Sequence, residues 1–393
     1  MTHSLWQFAY DLWPAHADAR SRVRSLASGP LPFTIRYRPY AVGLALVVAV
    51  ALGVSTTSKA ATRIAMLPFQ NVSGRIEAST FTIPLIQTAL QEHGYEVVKP
   101  DALETFLVRQ RIRGTEKVRR EQLVALGREF GASLALVGSI DLFADTPGNP
   151  QCGVSARLLA TEDGRIMWAG AAGFTGDDFT GFLGLGTVTT PEPLAALTVK
   201  KLFEDFPLPG SPWQLGKAVR PARSGKIAGR VYRDPRLDTE APKRVAILPF
   251  ENGTQRRGAA LIVDDLMLVE LFRAGRVEVA DPGDVSYALQ ALAVAPYGAI
   301  DLDSLRSIGE KINVDAVILG RVEDYNEGLR PETSTSPSIA VDARMLETKT
   351  GRILWMGYYE RSGEDYQIVL EFGKIKSMVP LAMRVIADLV GSM

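Results

Sequence analysis

The sequence predicts an α/β protein that contains two copies of one unit, each a mixed β-sheet with helices packed on it. Three pairs of similar phrases predict this class. The pairs are RIAMLPF (63–69) with RVAILPF (244–250), GASLALVG (131–138) with NVDAVILG (313–320), and VSARLLATEDGRIMW (154–168) with VDARMLETKTGRILW (341–355). The offsets are 244 − 63 = 181, 320 − 138 = 182 and 355 − 168 = 187. Because order and spacing persist, a whole unit of about 145 residues occurs twice.

The first element of each copy is the repeated phrase itself. Its alternating apolar residues predict a buried strand that ends at Pro68 or Pro249. A polar turn follows, QNVSG in the first copy and ENGTQ in the second, and then an apolar helix. A short strand is predicted after Gly94 and after Gly275, and two more helices come next.

The second part of each copy predicts a long strand, a hairpin and a closing helix. The phrases LALVGSIDLFAD and DAVILGRVEDYNE are long enough for a central strand. Gly164 and Gly351 predict hairpin turns, because glycine readily takes the positive φ that such turns require. The closing helix is expected near Pro191 and near Met378. Each unit is therefore β-α-β-α-α-β-β-β-α.

The amino-terminal leader has the composition of an export signal. Residues 41–54 read AVGLALVVAVALGV, a run of 14 apolar residues behind an arginine-rich stretch, whereas a membrane-spanning helix needs about 20. The pattern predicts a leader at 1–60 that is cleaved near Ala60, with export to the periplasm. An uncleaved short anchor in the inner membrane is the alternative, and residues 41–54 would then hold the protein at the membrane.

The segment between the copies predicts a linker. Residues 207–242 contain six prolines with several glycines and arginines, a composition typical of an extended connection. The phrase KIAGRVYRD inside it predicts a strand. The expected domains are therefore 61–206 and 243–393.

Composition excludes several classes of function. Lys+Arg and Asp+Glu both number 44, so the chain lacks the basic excess of a nucleic-acid-binding protein. Cys152 is the one cysteine, and two of the three histidines, His3 and His16, lie in the leader. His93 alone remains, which is too few for a His/Cys metal site or an ordinary catalytic triad. We expect no catalytic residues, no metal and no cofactor.

Two weaker patterns suggest chemistry. The phrase GFLGLG at 181–186 resembles a phosphate loop, but the second copy keeps only its last glycine. Adjacent acids are expected on the solvated surface, and a hydrolase with paired acids is the hypothesis that they leave open. These acids are Asp177/Asp178, Asp264/Asp265 and Glu364/Asp365.

These motifs resemble a known group of bacterial envelope proteins. The phrase (V/I)A(V/I)LPF with its polar turn, the GAS or VDA before the central strand and the GRIxW of the hairpin are similar to the amino-terminal domain of TolB and to the CsgG and LpoB families. The resemblance covers both copies, about three quarters of the chain. It implies an anticodon-binding-like α/β fold used for protein–protein contacts, and it brings no catalytic residues. The lipidated cysteine and the TolB propeller are missing, so outer-membrane tethering is not implied and the chain is not a TolB.

The resemblance predicts a non-enzymatic periplasmic adaptor or assembly factor of the cell envelope. The expected partners are envelope proteins, with outer-membrane or peptidoglycan-synthesis machinery and a homo-oligomer among the candidates, and no nucleic acid. The alternative is a CsgG-like subunit of an outer-membrane secretion pore. That function would need extra amphipathic strands of about ten residues, which the sequence does not show beyond the shared hairpins.

The candidate partner-binding residues lie where the two copies differ most. Residues 108–120 are basic, whereas the corresponding 287–297 are mostly apolar, and the loop 326–338 is longer in the second copy. The candidates are Arg109, Arg111, Arg113, Lys117, Arg119, Arg120, Tyr287, Tyr297 and Arg330.

Overall fold

The structure is a computed structural model that describes most of the chain after the leader. Residues 62–393 are described except 146–148, 180–185, 212–228, 296, 299, 329–335 and 368–372. The predicted leader, residues 212–228 of the predicted linker, nearly all of the GFLGLG phrase and Arg330 lie outside the described residues. The described part belongs to one compact unit.

The first half forms one mixed sheet with four helices among its described residues. Its elements are β1 (Arg63–Met66), β2 (Gln70–Asn71), α1 (Glu77–Glu92), β3 (Glu96–Val97), α2 (Pro100–Arg109), α3 (Arg120–Phe130), β4 (Leu134–Ala144), β5 (Gln151–Ala160), β6 (Ile166–Thr175) and α4 (Pro191–Leu202). The strand order is β3-β1-β4-β5-β6, and β2 pairs with β4. Strand β1 is parallel to its neighbours, while β4, β5 and β6 are antiparallel.

The second half repeats this arrangement and adds an edge strand. Its elements are β7 (Arg230–Arg233), β8 (Arg244–Ile247), β9 (Glu251–Asn252), α5 (Ala259–Ala274), β10 (Glu278–Val279), α6 (Pro282–Ala291), α7 (Leu302–Ile312), β11 (Ala316–Asn326), β12 (Ser338–Glu347), β13 (Ile353–Ser362) and α8 (Met378–Gly391). The strand order is β10-β8-β11-β12-β13-β7. The extra strand β7 comes from the proline-rich segment and pairs antiparallel with β13.

The two sheets correspond residue by residue. Leu134 pairs with Ile64 and Ala316 with Val245, and both central strands carry a bulge at the matching place. Gly164 and Gly351 close the hairpins at φ +72° and +73°, as their turns require. The predicted class, α/β with two mixed sheets and packed helices, is confirmed. The polar turns are a partial exception, because their first two residues form β2 and β9.

Helices α5 and α8 lie between the two sheets. They contact β5 and β6 of the first sheet and β11, β12 and β13 of the second. Helix α5 is apolar almost all round, with ten of its residues buried, as a helix covered on both sides must be. One continuous apolar core therefore joins the halves.

Small residues on the first sheet allow this close approach. Gly153 and Gly173 face each other on β5 and β6, and a Cβ atom on either would lie 2.5 Å from Val379 of α8. The corresponding positions of the second sheet are Ala340 and Glu360, which also pair with each other; Glu360 is exposed, and Met356 on the same face is 41% exposed. The described helices therefore cover this face of the first sheet but leave Met356 and Glu360 of the second sheet exposed.

No helix among the described residues is both long enough and apolar enough to cross a membrane.

Candidate functional site

Five of the candidate residues surround one cleft between the halves. Arg111, Arg113, Lys117 and Arg119 come from the first half and Tyr287 from α6 of the second. The cleft has a volume of about 410 Å³. It lies where the 3-10 turn Thr115–Lys117 contacts α6. The two segments that diverge between the copies therefore meet in space.

Helix α6 is fixed to the first half by a buried ion pair. Arg157 of β5 donates from Nε to Oδ2 of Asp281 at 2.7 Å, and both side chains are almost fully buried. Asp281 is also the N-cap of α6, because its Oδ1 accepts from the Gly283 backbone N–H at 2.8 Å. A Cβ atom at Gly283 would lie 2.1 Å from the carbonyl oxygen of Val118. Only glycine lets the helix start this close to the basic segment.

The backbone of the basic segment is held while its cations stay exposed. Val118 is buried, and the Thr115 hydroxyl donates to the carbonyl oxygen of Pro68. The Arg119 backbone N–H donates to Oε1 of Gln122 at 3.0 Å, which caps α3. Arg111 has φ +55°, a conformation that is uncommon for residues other than glycine. Local contacts thus fix the loop but leave its arginine side chains available.

Two cations lie near the ring of Tyr287. The Arg119 guanidinium lies 5.4 Å and the Lys311 ammonium 5.3 Å from its ring centre, both within the range of cation–π attraction. Among the described side chains the ion pairs include Arg109 and Arg157 but not Arg111, Arg113 or Lys117. The cleft therefore presents exposed positive charge, and Asp264 of α5 lies close enough for the Lys117 ammonium to lower the pKa of that carboxyl against the larger effect of burial.

The other candidates lie elsewhere. Arg109 pairs with Glu129 and its guanidinium is 5.7 Å from the Phe106 ring. Arg120 begins α3 and is exposed. Tyr297 is 56% exposed and lines a second cavity.

This second cavity adjoins the cleft and is mainly apolar. Its volume is also about 410 Å³. Lys117, Ser286 and Gln290 border both spaces. The apolar lining includes Ile247, Phe250, Leu261, Val285, Leu289 and Val294, and the polar lining includes Gln70, Asp264 and Asp265.

Asp264 and Asp265 do not lie on an open surface as the sequence pattern suggested. Asp264 is half-buried at the cavity wall and accepts a hydrogen bond from the Phe250 backbone N–H at 3.1 Å, and burial raises its pKa well above the usual range. Asp265 lies 3.7 Å from Arg157. These two acids are partly buried because both halves of the protein pack on α5, so that even its polar residues contact protein. Asp264 and Asp265 are adjacent residues of one helix, whereas the two carboxylates of a glycosidase lie on opposite sides of the glycosidic bond that they cleave.

Sequence reasoning missed the residues that complete the site. Gly283 and Ser286 belong to α6 just before the divergent segment 287–297, and Gln290 belongs to α6 within that segment. Asp264 and Asp265 carried a usable signal, because the first copy has Ile83 and Pro84 at the corresponding positions.

Comparisons with known proteins give structural matches of low identity. No family model and no curated protein matches the chain. A PelC dodecamer from Paraburkholderia phytofirmans is 16% identical and covers 42% of this chain and 95% of its own, with a TM-score of 0.29. Lipoprotein GNA1162 from Neisseria meningitidis is 18% identical and covers 37% of this chain and 99% of its own, with a TM-score of 0.28. The LpoB C-terminal domain from Escherichia coli is 15% identical, covers 30% and 82%, and has a TM-score of 0.22.

LpoB is thus both a family that the motifs resemble and a structural match. Each of the three matches covers less than half of this chain. We therefore base the function on the residues of this chain.

Proposed function

We propose that the chain is a non-enzymatic adaptor of the bacterial cell envelope that binds an acidic protein partner in the basic cleft. The observation that carries the proposal is the cleft itself: Arg111, Arg113 and Lys117 are exposed beside Tyr287, and both halves contribute to it. Arginine and tyrosine are the residue types that dominate binding energy at protein interfaces.

The lining favours binding over catalysis. Guanidinium groups stay charged throughout the physiological pH range and match carboxylates in a bidentate manner. General acid–base catalysis instead needs a group that titrates near the working pH. The charged side chains that the structure describes in the lining of the cleft are three arginines and one lysine, and their chemistry is that of anion recognition.

The envelope location is supported by the leader pattern of the sequence. In this proposal residues 1–60 direct export, 61–206 and 243–393 are sister domains, and 207–242 connects them. The partner is an envelope protein, with the outer-membrane and peptidoglycan-synthesis machinery as candidates. The ion pair between Arg157 and Asp281 fixes the position of α6 on the first half. One partner bound in the cleft therefore contacts both halves of the protein.

Site-specific photo-crosslinking in cells tests this function. A photoreactive residue at Arg113 should give crosslinks to envelope proteins, and the same residue at Thr88, on the exposed side of α1, should not give them. Changing Arg111→Glu and Lys117→Glu should abolish the crosslinks, whereas Arg128→Glu, an exposed site on α3, should leave them unchanged. Crosslinks that survive the cleft reversal, or that involve only cytosolic proteins, would contradict the proposal. Sequencing the mature amino terminus near Ala60 tests export independently.

A further inference from the structure

We infer that the basic cleft and the apolar cavity form one bipartite site for a partner segment that carries a large apolar side chain beside two or more carboxylates. This inference rests on the proposed function, because it describes the partner of the same cleft. It adds a second requirement, an apolar anchor, that the cleft alone does not impose.

Helix α6 organises the two spaces as neighbouring rows of residues. Residues four apart lie on the same side of a helix. Gly283 and Tyr287 line the cleft, Ser286 and Gln290 border both spaces, and Val285 and Leu289 line the cavity. One side of α6 therefore faces the basic cleft and the adjacent side faces the apolar cavity, and the two sides are separated by about 10 Å, the width of a helix. A short peptide can cover that distance with a few residues.

The cavity has the size and lining of a side-chain pocket. A dry cavity of about 150 Å³ holds a benzene-sized ring, and this one offers about 410 Å³. Its apolar walls favour an aromatic or a branched aliphatic group. Gln70 and Asp264 in the same lining are polar groups that can accept a hydrogen bond from an indole N–H. Tryptophan is therefore the anchor that fits the lining best.

The charges favour a peptide over a membrane or a nucleic acid. The chain has no net charge, with 44 cationic and 44 anionic side chains, so it lacks the broad basic field that attracts those polyanions. The cations of the cleft instead surround a space of about 410 Å³. A space of this size accepts a few carboxylates rather than an extended surface. The neighbouring apolar cavity adds a requirement that nucleic-acid phosphates do not meet.

Selection from a random library identifies the preferred chemistry without a known partner. The probe is a displayed library of random 12-residue peptides, selected on the purified protein and sequenced. We expect enriched peptides to carry at least two Asp or Glu within about four residues of a Trp, Phe or Leu. A consensus that lacks either feature, or no enrichment above an uncoated surface, would overturn the bipartite site.

Two variants separate the halves of the site. Arg111→Glu with Arg113→Glu should remove the acidic preference and keep the apolar one. Leu261→Trp, at a half-buried position of the cavity lining, should fill the cavity and remove the apolar preference alone. Circular dichroism and melting temperatures unchanged from the wild type show that both variants remain folded. If the two variants changed the consensus in the same way, one undivided surface would be indicated and the inference would fail.

A direct affinity measurement completes the test. Fluorescence anisotropy with one enriched, labelled peptide should show at least tenfold weaker binding when its Trp is changed to Ala, and again when its acids are changed to Gln or Asn. Sedimentation with vesicles of phosphatidylglycerol is the counter-test, since binding that depends on Arg111 and Arg113 would favour a lipid headgroup and overturn the peptide. If crosslinking at Arg113 succeeds while the consensus is only acidic, the adaptor function stands and the bipartite site falls.

Discussion

Arg157 should be the most sensitive polar residue of the junction between the halves. The Arg157→Met variant keeps a long side chain but removes the charge that pairs with Asp281 at 2.7 Å and approaches Asp265 at 3.7 Å. The side chains of Arg157 and Asp281 are only 5% and 4% exposed. Asp281 would then remain buried as a carboxylate without its cation.

The expected loss follows from that burial. Removing one partner of a buried pair costs about 3–5 kcal/mol, because the remaining charge is left uncompensated. Asp281 keeps its hydrogen bond from the Gly283 backbone N–H, so we expect a value near the lower end, about 3 kcal/mol. The melting temperature should fall by about 6–12 °C if each kcal/mol shifts it by about 2–4 °C.

The chain supplies a matched control in Arg344. This residue occupies the corresponding position on β12, 344 − 157 = 187 residues later, and pairs across the hairpin with Met356 as Arg157 does with Ala169. Arg344 lies partly exposed on the open face of the second sheet. Arg344→Met should change the free energy of unfolding by no more than about 0.5 kcal/mol, as surface substitutions usually do.

Urea denaturation of the purified protein, followed by circular dichroism, measures both variants. Adding Asp281→Asn to Arg157→Met should recover about 1–2 kcal/mol, since it removes the unpaired charge and keeps a capping side chain. A loss below about 1 kcal/mol for Arg157→Met, or a loss equal to that of Arg344→Met, would refute the role of this pair in joining the halves.

Three further changes test other parts of the structure. Asp141 is fully buried, and burial followed by repulsion from Asp265 raises its pKa well above the ordinary value near 3.8; the folded state therefore keeps a proton that the unfolded state loses as pH rises. The contribution of Asp141 to stability is therefore fully present below its ordinary pKa and is lost as the pH rises towards its folded pKa. The asparagine side chain does not titrate, so the free energy of unfolding of Asp141→Asn relative to that of the wild type should rise by about 1.4 kcal/mol per pH unit across that interval, as measured by urea titrations. A difference between the two proteins that does not change with pH would contradict the shift. Gly173→Ala places a Cβ 2.5 Å from Val379 and should cost about 1–3 kcal/mol, with partial recovery on adding Val379→Ala; the absence of recovery would show that the strain has another source. Tyr287→Ala should weaken binding of the selected peptide more than Tyr287→Phe, because phenylalanine keeps the ring that Arg119 and Lys311 face; anisotropy distinguishes the two, and equal losses would point to the hydroxyl.

Part of the candidate site was predictable from the sequence. The basic segment with Arg111, Arg113 and Lys117 was identified because it differs from the apolar 287–297 of the second copy. Tyr287 was identified for the same reason. The meeting of these segments was not predictable, since they are corresponding parts of two similar units. Which surfaces of two similar units come together depends on how the units pack on each other, and no local pattern encodes that packing.

The sequence by itself determined the elements of this protein. Alternating apolar residues determine the strands, and Gly164 and Gly351 determine the hairpin turns. The repeated phrases determine that there are two sheets with corresponding strand order and register. Only the tertiary structure decided what covers each sheet. Arg157 and Arg344 stand in the same strand pattern, yet one is buried beneath α5 and α6 and the other lies on an open face. The alternation of apolar and polar residues shows that the two faces of a strand have different surroundings. Whether a residue is buried and which charge it pairs with depend on residues more than a hundred positions away, as Arg157 depends on Asp281.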